Sequence, residues 1–155
     1  MNDKKSLQDI YAPKSICFGC GPLNENGLKI KSYKYKNGLR MSFHPKKEHQ
    51  AFPGVLNGGI IGTLFDCHGN WTAAMSIFES NNQKHFPATV TAFFEVQLLK
   101  PTPVDTKIEI FSQIITSSKN KAKVELELFS KNDICAKSIG VFVSVKEGHP
   151  AFYRW

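Results

Sequence analysis

Val55-Leu56-Asn57-Gly58-Gly59-Ile60-Ile61-Gly62-Thr63-Leu64-Phe65-Asp66-Cys67-His68-Gly69-Asn70-Trp71 (VLNGGIIGTLFDCHGNW) combines two patterns that rarely meet. Ile61, Leu64, Phe65, His68, Trp71 and Met75 fall at steps of three and four, which is one face of a helix. Ile60, Ala74 and Phe78 widen that face until a helix from about Asn57 to about Glu79 is apolar around nearly its whole circumference. Such a helix is surrounded by protein rather than laid on a surface. Yet it carries Asp66, His68 and Asn70, polar groups that are costly to bury unless paired.

The flanking sequence supplies what surrounds it. Residues 28–35 (LKIKSYKY) and 39–44 (LRMSFH) alternate apolar and polar as half-buried strands do, with Asn37-Gly38 as the hairpin turn between them. Pro45 to Pro53 is a loop. Beyond the helix, residues 88–99, 106–116, 121–130 and 134–145 are strand-like and separated by short turns, which predicts an antiparallel meander. Two strands, one long buried helix and four strands make an α+β domain in which a curved sheet of about five to six strands wraps the helix. Residues 1–16 read as a polar N-terminal arm with little periodicity, residues 17–27 as a Gly-, Pro- and Asn-rich structured loop, and residues 17–155 as a single domain.

The chain has 155 residues, the size of one core, with 41% hydrophobic and 21% charged residues, a globular composition. No apolar run is long enough to cross a bilayer, so no membrane partner is expected, and MNDKKSLQDI lacks the apolar stretch of a secretory signal. Both point to the cytoplasm. The net charge of +7 is scattered along the chain. It suits an anionic small-molecule ligand as well as a polynucleotide. No nucleic-acid-binding motif accompanies it, so no such partner is expected. Of four cysteines, Cys17 and Cys20 form C-F-G-C, while Cys67 and Cys135 are isolated in sequence. A zinc ribbon needs a second pair, so the expectation is a turn with reduced thiols and no metal.

Three segments carry a family resemblance: CFGCGPLNENGLKI, HQAFPGVLNGGIIGTLFD and TVTAFFEVQLLKPTPV. Together they resemble the N-terminal cysteine-glycine loop, the active-site helix entry and the central strand of the hotdog-fold thioesterases. The group most similar is that of the phenylacetic-acid-pathway and acyl-CoA thioesterases, and the resemblance spans about residues 17 to 147. It implies a hotdog fold, an acyl-CoA substrate with no cofactor beyond the coenzyme A it carries, and assembly as a homodimer or homotetramer. Two departures stand out. The residue before the Gly-Gly pair is usually His and is here Asn57. An Asn found upstream in some relatives has only Gln50 to replace it.

On the residues alone, Asn57-Gly58-Gly59 is either a capped turn or a helix start whose unpaired N–H groups and dipole attract negative charge. The resemblance favours the second, an oxyanion hole. Asp66 sits among Leu64, Phe65 and Cys67. It is either a satisfied buried Asp bonded to the backbone or to Asn70, or a nucleophile or general base; the resemblance favours catalysis. On the residues alone Thr91 is equally a β-forming hydroxyl on a strand; the resemblance makes it the position that holds the attacking water with the carboxylate, and Thr89, Thr91, Phe93 and Glu95 are expected on one strand face. Asn70 and Thr63 share the Asp66 side of the helix. His68 is turned about 200° from Asp66, so it reads as a hydrogen-bonded core histidine rather than a catalyst. Gln50, Phe52, His68, Asn70, Lys100, Lys119 and Lys121 complete the expected substrate-binding set; each lysine is either an ordinary solvated side chain or a contact for the phosphates of coenzyme A. Phe65, Trp71, Phe78, Phe93 and Phe94 are further apolar walls.

Gly58 and Asp66 lie eight residues apart, about 12 Å along a helix. One thioester carbonyl cannot touch both within a subunit, and the antiparallel dimer implied by the resemblance would bring one helix start to the other helix's middle. The leading reading is hydrolysis of a small to medium acyl-CoA or aromatic acyl-CoA. The alternatives are a catalytically silent hotdog protein that binds an acyl ligand, a hotdog hydratase or dehydratase, for which no paired Asp and His is found, and nucleic-acid binding on charge alone.

Overall fold

The computed structural model describes residues 5–155. Its elements in chain order are α1 (Leu7–Tyr11), β1 (Tyr33–Tyr35), β2 (Gly38–Phe43), a short 3-10 turn (Lys47–His49), β3 (Gln50–Phe52), β4 (Val55–Leu56), α2 (Gly58–Ser80), β5 (Thr89–Leu98), β6 (Ile108–Ser117), β7 (Lys121–Ser130) and β8 (Asp133–Ser144). One six-stranded antiparallel sheet in the order β1-β2-β6-β7-β8-β5 packs against α2, and β3 and β4 form a separate two-stranded ribbon. This is the hotdog arrangement expected.

α2 begins where the sequence places it. The Asn57 side chain caps it by accepting from the Gly59 N–H at 2.7 Å, and at its end the Asn81 side chain donates to the Ile77 and Lys119 carbonyls. Buried residues run round the helix from Ile61 to Ile77, and Phe65, Trp71, Leu64 and Ile77 are fully enclosed. Ile108, Ile110, Val124, Leu126, Leu128 and Phe142 supply the sheet side of this core. Gly69 permits the close approach of the two layers: a Cβ there would lie 2.6 Å from the Phe142 ring.

Several expectations are corrected. Residues 28–32 are not strand, and only Tyr33–Tyr35 pairs with β2. Lys29 has φ 56, and Leu28 and Ile30 donate to the Phe18 and Gly19 carbonyls, so this alternating stretch is tied to the cysteine loop instead of a sheet. The hairpin turn is Lys36-Asn37, one residue earlier than expected, with Tyr35 paired to Gly38. Only β6, β7 and β8 form a meander; β5 crosses to the far edge and pairs with β8. The segment read as an arm carries α1, capped by Ser6, with Leu7 and Gln8 buried and Tyr11 stacked on Phe86 at 4.1 Å. Its residues 1–4 lie outside the described residues.

The Gly69 contact gives a stability test. Gly69→Ala removes a poor helix former, worth about 1 kcal/mol in the mutant's favour. It also drives a methyl group into a packed ring, an overpacking cost of about 1–3 kcal/mol. The substitution should lower the melting temperature, and adding Phe142→Leu should recover part of the loss, as read by thermal denaturation.

Candidate active site

α2 presents two polar groups on opposite sides, a half-buried carboxylate and a buried imidazole, and the sheet satisfies each differently. On the β5 side, the Thr91 hydroxyl donates to Asp66 Oδ1 at 2.5 Å. Asn70 Nδ2 donates to Thr91 Oγ1 at 3.1 Å, and Asn70 Oδ1 accepts from the Thr89 hydroxyl at 2.5 Å. The chain Thr89–Asn70–Thr91–Asp66 fixes one carboxylate oxygen, and no donor among the described residues reaches the other. Asn70 and Thr89 are buried; Asp66 and Thr91 are half-buried, so the carboxylate stands at the edge of the interior. Asn70 therefore acts on Asp66 through Thr91, not directly. Thr91, whose one proton points at Asp66, can only accept from a water.

The opposite side holds His68, fully enclosed. Its Nδ1 meets Ser32 Oγ at 2.8 Å and its Nε2 meets Ser112 Oγ at 3.4 Å. Ser32 is bonded in turn to Gln8, and Ser112 to Thr72 and the Leu39 carbonyl. This network ties α1 and β2 to the helix. Burial lowers the His68 pKa from 6.5 to about 3, so the ring is neutral. With no exposed surface, His68 packs in the core, as its place on the helix face suggested.

Other expected residues are placed as follows. A β-bulge between Thr91 and Phe93 inserts Ala92 and reverses the alternation of β5. Phe93 and Glu95 therefore do not share the face of Thr89 and Thr91. Phe94 and Leu98 turn toward α2 instead, close to Gly62 and Gly58 respectively. Phe65 and Trp71 are core and cannot wall a pocket. Thr63 donates back to the Gly59 carbonyl and takes no part in holding Asp66. Gln50 is occupied at both ends of its amide, donating to the Lys47 carbonyl at 2.8 Å and accepting from the Gly54 N–H at 2.6 Å, so it braces the loop ahead of α2. Phe52 is exposed beside it.

At the helix start the Gly59 N–H is taken by Asn57, leaving the Gly58 N–H without an acceptor from the described residues. The three lysines do not form one group. Lys100 follows the end of β5 near the start of α2 and pairs with Asp133 at 2.8 Å, in an exposed ion pair. Lys119 lies at the other end, where its carbonyl meets Asn81. The length of α2 separates them, about 34 Å for its 23 residues. Lys119 lines a cleft of about 1070 Å³ with Phe78, Phe86, Lys146 and Trp155. Cys67 is the residue that sequence reasoning missed: it faces the C-F-G-C loop, and its sulfur lies 3.7 Å from that of Cys17. Its helical position, one residue beyond Asp66 and so about 100° round, was the available signal.

No family model and no curated protein matches the chain. Solved structures do. A thioesterase superfamily protein from Shewanella loihica PV-4 is 31% identical, with 90% of this chain and 100% of that one covered at a TM-score of 0.70. The PaaI protein of the E. coli phenylacetic acid degradation operon is 12% identical, covering 77% and 81%, with a TM-score of 0.65. A hypothetical thioesterase from Streptococcus pneumoniae TIGR4, solved with coenzyme A, is 14% identical, covering 75% and 85%, at 0.63. The protein belongs to the thioesterase superfamily.

The neutral His68 makes stability acid-sensitive. Its folded pKa lies below the unfolded value, so the unfolded chain binds the extra proton between pH 6.5 and about 3. The contribution is fully present above pH 6.5 and is lost as pH falls, with a limiting slope of about 1.4 kcal/mol per pH unit. His68→Gln should be less stable at neutral pH but show a flatter decline between pH 6.5 and 4 in denaturant titrations.

Proposed function

We propose that the protein hydrolyses the thioester of a small to medium acyl-CoA or aromatic acyl-CoA, with Asp66 as the reacting carboxylate. The observation that carries this is the oriented Asp66. One oxygen is held by Thr91, and the other remains for a water or a carbonyl carbon, with the apolar Phe94 one turn back along α2 beside Gly62. As a general base, Asp66 takes a proton from water, whose oxygen attacks the carbonyl while coenzyme A leaves as the thiol. As a nucleophile, it displaces the coenzyme A thiolate, which takes up a proton, to form a mixed anhydride; water then cleaves this to the free acid and restores the carboxylate. Either route builds negative charge on the carbonyl oxygen, and a helix-start N–H such as that of Gly58 stabilises it. Family membership and the coenzyme A in the Streptococcus pneumoniae neighbour support the substrate class.

The site is shared between two subunits in this reading. Gly58 and Asp66 are too far apart along α2 to serve one carbonyl, as helix geometry requires. β5 is an open sheet edge, and it exposes Phe93, Phe94 and Leu98, with Leu99 just beyond. A long apolar edge is a template for another strand, and a second β5 related by a twofold axis fits it. The first turn of that edge is already covered, since Arg154 donates to the Thr89 carbonyl at 2.7 Å, so pairing would start beyond it. A homodimer, alone or within a homotetramer, then brings each helix start toward the partner's Asp66. The second reading is a silent acyl-binding protein. Its support is Asn57, which occupies the Gly59 N–H that would otherwise face an oxyanion.

Asp66→Asn keeps the shape and removes the base or nucleophile. Its kcat should fall at least about a hundredfold with little change in KM, measured as thiol release over a panel of acyl-CoA substrates. Activity retained in Asp66→Asn would remove Asp66 from the chemistry, whereas no activity in the wild type over the whole panel favours the silent reading. Charge reversal at Lys119 and Lys121 together should raise KM with kcat nearly unchanged, since a remote phosphate contact binds substrate and transition state alike. Phe93→Lys with Leu98→Lys on the β5 edge should shift the particle to monomer in light scattering and lose activity with it.

A further inference from the structure

Three sulfurs that the proposed reaction does not use meet on another face of α2. Those of Cys17, Cys20 and Cys67 all lie within 4.8 Å of one another, and no other His, Cys, Asp or Glu among the described residues joins the cluster. Cys20 and Cys67 are buried, and Cys17 is half-buried. We propose that these three cysteines bind one thiophilic metal ion, Zn²⁺ or Cu⁺, as thiolates.

The spacing fits coordination. Metal–sulfur bonds of about 2.3 Å at a tetrahedral centre place the sulfurs about 3.8 Å apart. Cys17 and Cys67 stand at 3.7 Å. A disulfide needs about 2.05 Å and would leave the third thiol unmatched. The loop is shaped to bring its sulfurs onto the helix. A Cβ at Gly19 would lie 2.3 Å from Cys67 Sγ, and one at Gly21 would lie 2.4 Å from the Cys17 nitrogen, so both glycines are required by the approach. The Gly21 N–H closes the turn on the Cys17 carbonyl at 2.8 Å.

The surroundings fit as well. Trp71 Nε1 donates to Cys20 Sγ at 3.2 Å, the kind of outer hydrogen bond that orients a metal-binding sulfur. Three thiolates are soft ligands, which select Zn²⁺ and Cu⁺ over Mg²⁺ or Ca²⁺. Cu⁺ is content with three, and for Zn²⁺ a water on the half-buried Cys17 side completes the fourth corner. Binding releases the thiol protons to solvent. The ion would fasten the loop of residues 15–31 to the middle of α2, one residue from Asp66, so it is a structural tie adjoining the candidate site and not part of its chemistry.

The test is elemental analysis of protein purified with reductant and without chelator. About one zinc or copper ion per chain should remain after gel filtration, and which metal it is separates the two occupants. Cys135→Ser should keep it and Cys20→Ser should lose it. Should Cys20→Ser fail to fold, the wild type is stripped with chelator under reducing conditions and titrated with Co²⁺. Thiolate-to-cobalt charge-transfer absorption saturating at about one equivalent, and erased by Zn²⁺, is the expected result. Folded, reduced protein that retains no metal and shows no such absorption overturns the proposal. So does metal-free protein whose mass and peptide map show a disulfide within the cluster.

Discussion

A 23-residue helix that is buried on nearly every side is the constraint from which the rest follows. It cannot lie on a surface, so the sheet curves round it and the N-terminal loop closes the remaining flank. Its polar residues must then be satisfied from outside the helix. Thr89 and Thr91 of β5 do so on one side, and Ser32 and Ser112 on the other. The two networks differ in one respect that matters. The His68 network is sealed and holds a neutral ring, whereas the Asp66 chain ends in a half-buried carboxylate with an oxygen to spare. One is a joint; the other has the form of a reactive group held in place.

Most of this was legible in the sequence, for physical reasons. Periodicity marks α2 because burial all round demands apolar residues all round, and Asn57 marks its start because an exposed helix end needs a cap. The rotation between Asp66 and His68 along the helix already places them on different sides. What stayed hidden depended on tertiary choices. The bulge at Ala92 reverses the second half of β5, and nothing local announces it. Residues 28–32 alternate like a strand, but Lys29 at positive φ sends them to the cysteine loop. Gln50 looked like a substitute ligand and is spent on its own loop. The pairing of β5 with β8 and the meeting of Cys67 with Cys17 and Cys20 are long-range contacts that spacing does not encode.

The proposed site makes one subunit insufficient. Its parts lie on one helix, yet about 12 Å apart, and an open apolar strand edge runs beside them. Assembly and chemistry are then the same question. Mixing two inactive variants answers it most directly. Asp66→Asn removes the carboxylate. Gly58→Pro removes the helix-start N–H while suiting the first helical position, and Asn57 with ψ 133 already has the extended backbone that precedes a proline. Refolded together in equal amounts, half the dimers are mixed, and each mixed dimer carries one site with both groups intact. The account predicts about a quarter of wild-type activity from a mixture of two dead parents, as twofold symmetry requires. A mixture as inactive as its parents, in dimers shown by mass to be mixed, would contradict it.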